Sequence, residues 1–442
     1  MVLSWTRRRG FHRTNKEKDQ LSGSNVDTVD IVIPAHFRCP ISLDLMKDPV
    51  TLSTGITYDR ESIEKWIESG NQTCPVTNQV LKSFEQIPNH SIRKMIQDWC
   101  VKNQSYGIER IPTPRIPVSQ YEVSEILSRI TSQAQRGDDK RCQEMVGKIK
   151  TWGKESERNK RCIVDNGAGV VLANVFDLFS KISIEKYVGM LEEILGALTW
   201  MFPLGQEGIS KLGSAGSLRC MVWFLNGKDL SARQNSGLVL KKLVCLNQFQ
   251  VVDALVRIEG VFEAVVNMIR VPIGPTATKA CFTTIFYMIS FNERIKSKFV
   301  ELGLVSLLLE ILVDGEKDIC EKALGLLDGI CDCKEGKEMA KKNALTVPLM
   351  VKKILRVSDL ASAISVSILW KLCDKEKKGE EGVLIEAIQV GAFQKVLVML
   401  QVGCDESTKE KATELLKLLN IYRGRVECVQ SSVEFKYLKK PF

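Results

Sequence analysis

From Gln120 to about residue 425, apolar side chains recur every three or four positions, the spacing of helices that bury one stripe. Only Pro203 and Pro272 interrupt this run before residue 275, so little in it opposes helix formation. The pattern also repeats. Gly167-Ala-Gly-Val-Val-Leu, Gly216-Ser-Leu-Arg-Cys-Met, Gly260-Val-Phe-Glu-Ala-Val, Gly303-Leu-Val-Ser-Leu-Leu and Gly391-Ala-Phe-Gln-Lys-Val align, and Leu345-Thr-Val-Pro-Leu-Met takes the same place without the glycine. The intervals between these marks are 49, 44, 43, 42 and 46 residues. A second register agrees: Ala323 to Cys331, Ser365 to Cys373 and Ala412 to Asn420 each run a small residue into a leucine-rich helix end. A period near 42, with a glycine before an apolar helix, predicts stacked three-helix units. The glycine allows a sharp turn without a Cβ penalty. Each unit leaves a face that only its neighbour can bury, so the expected architecture is an α-solenoid.

A shorter segment ahead of it, Phe37 to Lys102, follows a different rhythm and is dense in turn formers. Cys39-Pro40-Ile41 opens a loop, and Asp48-Pro49-Val50 leads into a short strand, Val50 to Leu52. Gly55 is placed to turn the chain into Ile56-Thr57-Tyr58. Asp59 is expected to cap a helix, Arg60 to Ser69, that stops at Gly70 in the left-handed position. Ile63, Trp66 and Ile67 share one face of that helix. A second loop carries Cys74-Pro75-Val76-Thr77, and Asn89 is placed to cap a closing helix whose apolar face holds Ile92, Met95, Ile96 and Trp99. Then Pro112, Pro114 and Pro117 break any helix and favour an extended spacer. The expected organisation is a flexible polar arm at 1–32, a small α+β domain at 33–106, a Pro-rich linker at 107–119, helical repeats at 120–425 and a tail at 426–442. The fold class is mainly α.

Composition narrows the chemistry. The longest apolar stretches, such as Val305 to Leu309, soon meet charge (here Glu310), so no membrane span of about 20 residues is expected. Arg7, Arg8 and Arg9 have no apolar run behind them and do not read as a secretory signal. Without such a signal, the fourteen cysteines are expected to be free thiols in a reducing compartment. The cytoplasm is the expected address, the nucleus the alternative. The net charge of +9 is diluted: +2 falls in residues 1–36, zero in 37–102 and +7 over the remaining 340. That reads as a solvated surface, and no nucleic-acid partner is expected. There is no Gly-Lys-Ser/Thr phosphate loop, and His12, His36 and His90 all lie outside the repeats, excluding histidine catalysis there. No cofactor is expected.

Two cross-braced loops around a short helix suggest a RING-like layout, which requires eight zinc ligands in paired spacing. The segment offers only Cys39, Cys74, Cys100, His36 and His90 and no Cys-x-x-Cys pair, so no metal site is expected. Polar pairs must brace the loops instead, with Ser42, Asp44, Arg60, Glu61 and Thr77 as candidates. Phe37-Arg38-Cys39-Pro40-Ile41, Met46-Lys47-Asp48-Pro49-Val50, Gly55-Ile56-Thr57-Tyr58-Asp59-Arg60, Ile63-Glu64-Lys65-Trp66, Cys74-Pro75-Val76-Thr77 and Ile87-Pro88-Asn89 stand in the order and spacing of the U-box. The repeats resemble the armadillo family, and the whole chain resembles the plant U-box/armadillo ubiquitin ligases.

The resemblance implies a zinc-free U-box that holds a ubiquitin-charged conjugating enzyme (E2) without itself carrying ubiquitin. Carried over, Ile41, Trp66 and Pro75 form the E2 groove, and Asn78 stands where many relatives place a basic residue bridging E2 and ubiquitin. Cys39, Pro40, Asp48, Pro49 and Asp59 are its implied structural positions, with Cys39 a buried hydrophobe and no covalent nucleophile. E2 and ubiquitin are the implied partners, with an unidentified substrate protein on the concave face of the repeats. Self-association through the U-box and a stress-related role are further family expectations. The alternatives are an armadillo scaffold with little ligase activity, and a ligase forming a thioester on one of its cysteines.

Overall fold

The computed structural model describes residues 33–111, 117–246, 248–373 and 382–423. The expected arm at 1–32, residues 112–116 of the linker and the tail at 426–442 lie outside the described residues. The chain divides into two compact units, Met1–Ile116 and Pro117–Phe442.

In the first unit, β1 (Pro49–Thr51) lies between β2 (Thr57–Asp59) and β3 (Ile87–Pro88), antiparallel to both. Val50 pairs with Tyr58 on one side and Pro88 on the other. Gly55, at φ 79°, makes the hairpin turn. Helix α1 (Arg60–Glu68) leaves β2 at once, and α2 (His90–Lys102) follows β3. Their apolar faces close over Phe37, Met46, Val50, Tyr58, Ile63 and Ile96. One expectation fails: Met95 is 50% exposed, and Cys100 is buried in its stead. Ile96 centres the buried stripe; Cys100 lies four residues on, along the same face, whereas Met95 is about 100° around the helix.

In the second unit, α3 (Gln120–Arg136) and α4 (Asp139–Glu155) open the stack. Three-helix groups follow: α5–α7 (Glu157–Asp165, Ala168–Ile182, Val188–Leu198), α8–α10 (Gln206–Leu212, Ala215–Leu225, Leu230–Leu246) and α11–α13 (Gln248–Leu255, Val261–Arg270, Pro275–Ile289). Then come α14–α16 (Glu293–Glu301, Leu304–Asp314, Lys317–Ile330), α17–α19 (Lys334–Lys342, Thr346–Lys353, Asp359–Cys373) and α20–α22 (Gly382–Gln389, Ala392–Val402, Glu406–Arg423). The last helix of each group packs on that of the next, from α4 through α7, α10, α13, α16 and α19 to α22. One hydrophobic core runs through the stack from Val123 to Leu419. Among the described residues no single helix is long and apolar enough to cross a membrane.

The repeat glycines divide into two kinds. Gly167, Gly260, Gly303 and Gly391 have φ between 76° and 86° and precede α6, α12, α15 and α21, so their turning role is real. Gly216 differs: it lies inside α9, whose cap is Ser214, and a Cβ there would come within 2.8 Å of Lys181 Cγ. Its service is close approach, not a turn. At Leu345 the backbone is right-handed, and Asn343 Oδ1 accepts from Leu345 N at 3.0 Å, so a polar side chain supports the turn that glycine makes elsewhere.

Candidate functional site

The two loops of the first unit are the same turn built twice. Cys39 N donates to Asp44 O at 2.8 Å and Leu43 N to Cys39 O at 2.8 Å. In the second loop Cys74 N donates to Gln79 O at 2.9 Å and Asn78 N to Cys74 O at 2.8 Å. Arg38 pairs with Leu45 across the first mouth, Thr73 with Val80 across the second. Leu43 and Asn78 occupy matching left-handed positions, at φ 62° and 56°. Asparagine tolerates that region; a leucine there is strained and held by its surroundings.

Strand β2 suspends both loops by their sulfurs. Asp59 N donates to Cys39 Sγ at 3.3 Å, and the Tyr58 hydroxyl lies 3.0 Å from Cys74 Sγ. Val76 N donates back to that hydroxyl at 3.3 Å, and Thr54 Oγ1 donates to Cys74 Sγ at 3.4 Å. Burial alone would raise the Cys74 thiol, but hydrogen bonds from Thr54, Thr77 and Tyr58 outweigh it and hold it at about 6. Burial first, and the bond to Cys74 second, push the Tyr58 hydroxyl up. Cys39, Cys74 and Cys100 have no exposed surface, and the bonds that lower the Cys74 thiol are the ones that brace its loop.

The remaining braces are polar. Asp48 Oδ2 takes Arg60 Nε at 2.7 Å, Asp48 Oδ1 takes the Arg93 guanidinium, and Arg60 Nη1 donates to Gln86 Oε1 at 3.1 Å. One carboxylate thereby joins the end of the first loop to α1 and α2. Asn89 caps α2 by accepting from Ile92 N at 3.0 Å and donates its amide to Thr51 Oγ1 and Thr57 Oγ1 at 3.2 and 3.3 Å. Asp59 does not cap α1 as expected. Its carboxylate instead accepts from Lys47 N and Asp48 N at 2.8 and 2.9 Å, because those amides arrive beside it and outcompete the helix's own first turn.

Of the expected bracing residues Arg60 alone spans elements with its side chain. Ser42 and Thr77 accept from amides two residues along, Thr77 also bonding Cys74 within its own loop, Asp44 contributes its carbonyl, and Glu61 pairs with Lys65 on the exposed face of α1. Arg93 and Gln86 escaped sequence reading because their partners lie far away along the chain.

Ile41 and Pro75 are half-buried on the two loops, Trp66 half-buried on α1, and Asn78 exposed. Ile41 and Trp66 pack against the same small core. Trp66 Nε1 donates to Thr73 O at 2.9 Å, and its carbonyl accepts from Asn71 Nδ2 at 2.9 Å, pinning the helix to the root of the second loop. Pro40 is exposed beside the buried Cys39, and Pro49 is buried in β1. Leu43 and Val76, which sequence reading passed over, are 68% and 51% exposed at the loop tips. The result is a surface of apolar loop tips beside a half-buried indole that packs on the small core.

The sequence model of the plant U-box protein ARM repeat region matches residues 122–439, and that of the U-box domain matches residues 33–105. The chain belongs to the plant U-box/armadillo family. U-box domain-containing protein 21 of Arabidopsis thaliana is 51% identical over 414 residues, covering 93% of this chain and 94% of that one. E3 ubiquitin-protein ligase PUB23 of the same plant is 34% identical over 409 residues, covering 90% and 95%. Among solved structures, an engineered protein matches with TM-score 0.51 at 16% identity over 68% of each chain. A designed armadillo repeat protein matches with TM-score 0.46 at 18% identity, covering 57% of this chain and 99% of that one. As a member of this family the chain is a U-box E3 ubiquitin transferase with an armadillo region behind its U-box.

Proposed function

We propose that the U-box docks a ubiquitin-charged E2 on Ile41, Trp66 and Pro75, with Leu43 and Val76 widening the contact, and that ubiquitin passes directly to a substrate held by the repeats. A substrate lysine amine attacks the E2 thioester carbonyl; the carbon–sulfur bond breaks, the isopeptide bond forms and the E2 thiol leaves. The ligase contributes position, holding E2 and lysine in reach of each other. The observation that carries this reading is the half-buried Trp66, pinned to Thr73 O at 2.9 Å beside loops with exposed apolar tips. A rigid aromatic anchor with apolar neighbours suits a small transient interface. The complete burial of all three U-box cysteines supports transfer without a ligase thioester.

The test is autoubiquitination by the full chain with a broad E2 panel. Trp66→Ala and Ile41→Ala are expected to abolish chain formation while the melting curve of the repeats stays unchanged. Ile41→Ala is included because losing Trp66 also loosens its tie to Thr73. Undiminished ubiquitin chains in both variants would contradict the docking assignment, and none with any E2 in the wild type would favour the scaffold alternative.

A further inference from the structure

A second site lies in the repeats, where the turn from α15 into α16 meets the end of α18. A cleft of about 330 Å³ there is lined by Lys317, Lys352, Lys353 and Arg356 together with Asp314 and Gly315. We propose that this cleft binds a phosphate monoester, carried as a phosphorylated serine or threonine of a protein held on the repeats. Its protein-borne character rests on the reading of the repeats as substrate carrier; the anion site itself does not.

Lys353 is only 6% exposed, yet among the described residues its ammonium meets no carboxylate: it donates to Cys320 Sγ at 3.3 Å. That thiol spends its own hydrogen on Gly315 O at 3.0 Å. A thiol sulfur is a weak acceptor, and a buried ammonium so served is costly. Helix α16 begins here; Glu316 at its N-cap makes no side-chain capping bond, and the Asp318 carboxylate of its first turn is engaged by Lys279 at 2.7 Å. The positive end of the helix thus lies near a buried cation, the reverse of the favourable arrangement. An anion between them satisfies both.

The other three cations also form no ion pair among the described residues, and four cations against the single Asp314 carboxylate leave the lining positive. Lys395, whose ammonium caps α18 through Val351 O at 2.7 Å, has its pKa lowered first by burial and then by the charge of Arg356, so a fifth cation adds to the field. The volume stands at the lower end of ligand pockets, enough for a phosphate and its attachment and too small for a dinucleotide. Lysines as point charges, an arginine fork and free helix amides are the usual means of holding phosphate.

The full chain is melted at constant ionic strength with inorganic phosphate, N-acetyl-O-phosphoserine amide or N-acetylserine amide. Both phosphates are expected to raise the melting temperature, and the unphosphorylated amide to leave it unchanged. Lys353→Met is expected to melt higher than wild type without ligand and to lose the phosphate response. Arg356→Ala is expected to weaken phosphoserine binding about tenfold, the size of one charge-assisted hydrogen bond. Lys334→Ala, a lysine with a side chain 84% exposed on α17, is expected to keep the full response. No response in wild type, a full response in Lys353→Met, or an equal loss in Lys334→Ala overturns the site. A response to inorganic phosphate alone overturns the protein-borne assignment. Because no ubiquitin enters the assay, its failure is separate from any failure of E2 docking.

Discussion

Asp48 shows how much one side chain can hold. Its carboxylate, with the side chain 24% exposed, faces two guanidinium groups whose side chains are 18% and 11% exposed, at Arg60 and Arg93. Removing it leaves two partly buried cations without their counter-charge, a loss of roughly 3 kcal/mol. Asp48→Ala is therefore expected to accelerate hydrogen exchange across β1, α1 and α2 by about a hundredfold. Asp44→Ala, at an exposed position whose contribution is its carbonyl, is expected to leave exchange unchanged. Sequence reading found Asp48, Asp59 and Arg60 because each stands in a motif. It could not pair them, because Arg93 lies 45 residues from Asp48 and only the fold brings them together. Asn78 carries a similar lesson. Its place in the sequence suggested a side-chain role, and its φ of 56° adds a backbone reason for asparagine that the sequence did not reveal.

At the scale of elements, the repeat was legible wherever a glycine turns the chain. Gly303 has φ 76° and open space around a would-be Cβ, so Gly303→Ala is opposed by backbone strain alone. The expected cost is about 1 kcal/mol, read as a lower urea midpoint of the repeats. Gly336→Ala is expected to cost distinctly more, since its Cβ would come within 2.2 Å of the Ile330 carbonyl oxygen, which cannot step aside. Equal midpoints for the two variants would refute the distinction. The spacing did not reveal that Gly216 and Leu345 follow other rules, because capping by Ser214 and support from Asn343 leave no mark in hydrophobic periodicity. The duplicated loop of the U-box was half legible. Cys39-Pro40 and Cys74-Pro75 announce it, but a left-handed leucine at the fifth position contradicts local preference and emerges only from tertiary closure.

Across the whole molecule, the second unit is stitched by long-range lysine contacts between last helices of neighbouring groups. Lys150 meets Glu193 at 2.6 Å, Lys242 meets Thr199 O at 2.8 Å, Lys279 meets Asp318 at 2.7 Å and Lys411 meets Ser367 Oγ at 3.0 Å. The densest stitch is Lys371, at 2.9 Å from Asp328 and 2.7 Å from Asp332, with Lys296 3.3 Å from the other oxygen of Asp332. Burial would raise the Asp332 carboxyl, but Lys371 and Lys296 hold it below the usual carboxylate range. A carboxyl depressed in the folded state stabilises above its unfolded pKa of about 4, and that contribution disappears as pH falls through the lower folded value. Wild type is therefore expected to melt above Asp332→Asn near neutral pH, with the gap closing below about pH 4. A gap independent of pH would contradict this origin.

Ubiquitin transfer without a covalent ligase intermediate is most directly read in a single-turnover assay, in which a preloaded E2–ubiquitin thioester discharges onto free lysine in the presence of the full chain. The expected result is accelerated discharge, no reducible ubiquitin adduct on the ligase, and loss of the acceleration in Ile41→Ala. An adduct removed by reductant, or acceleration that survives Ile41→Ala, would contradict it.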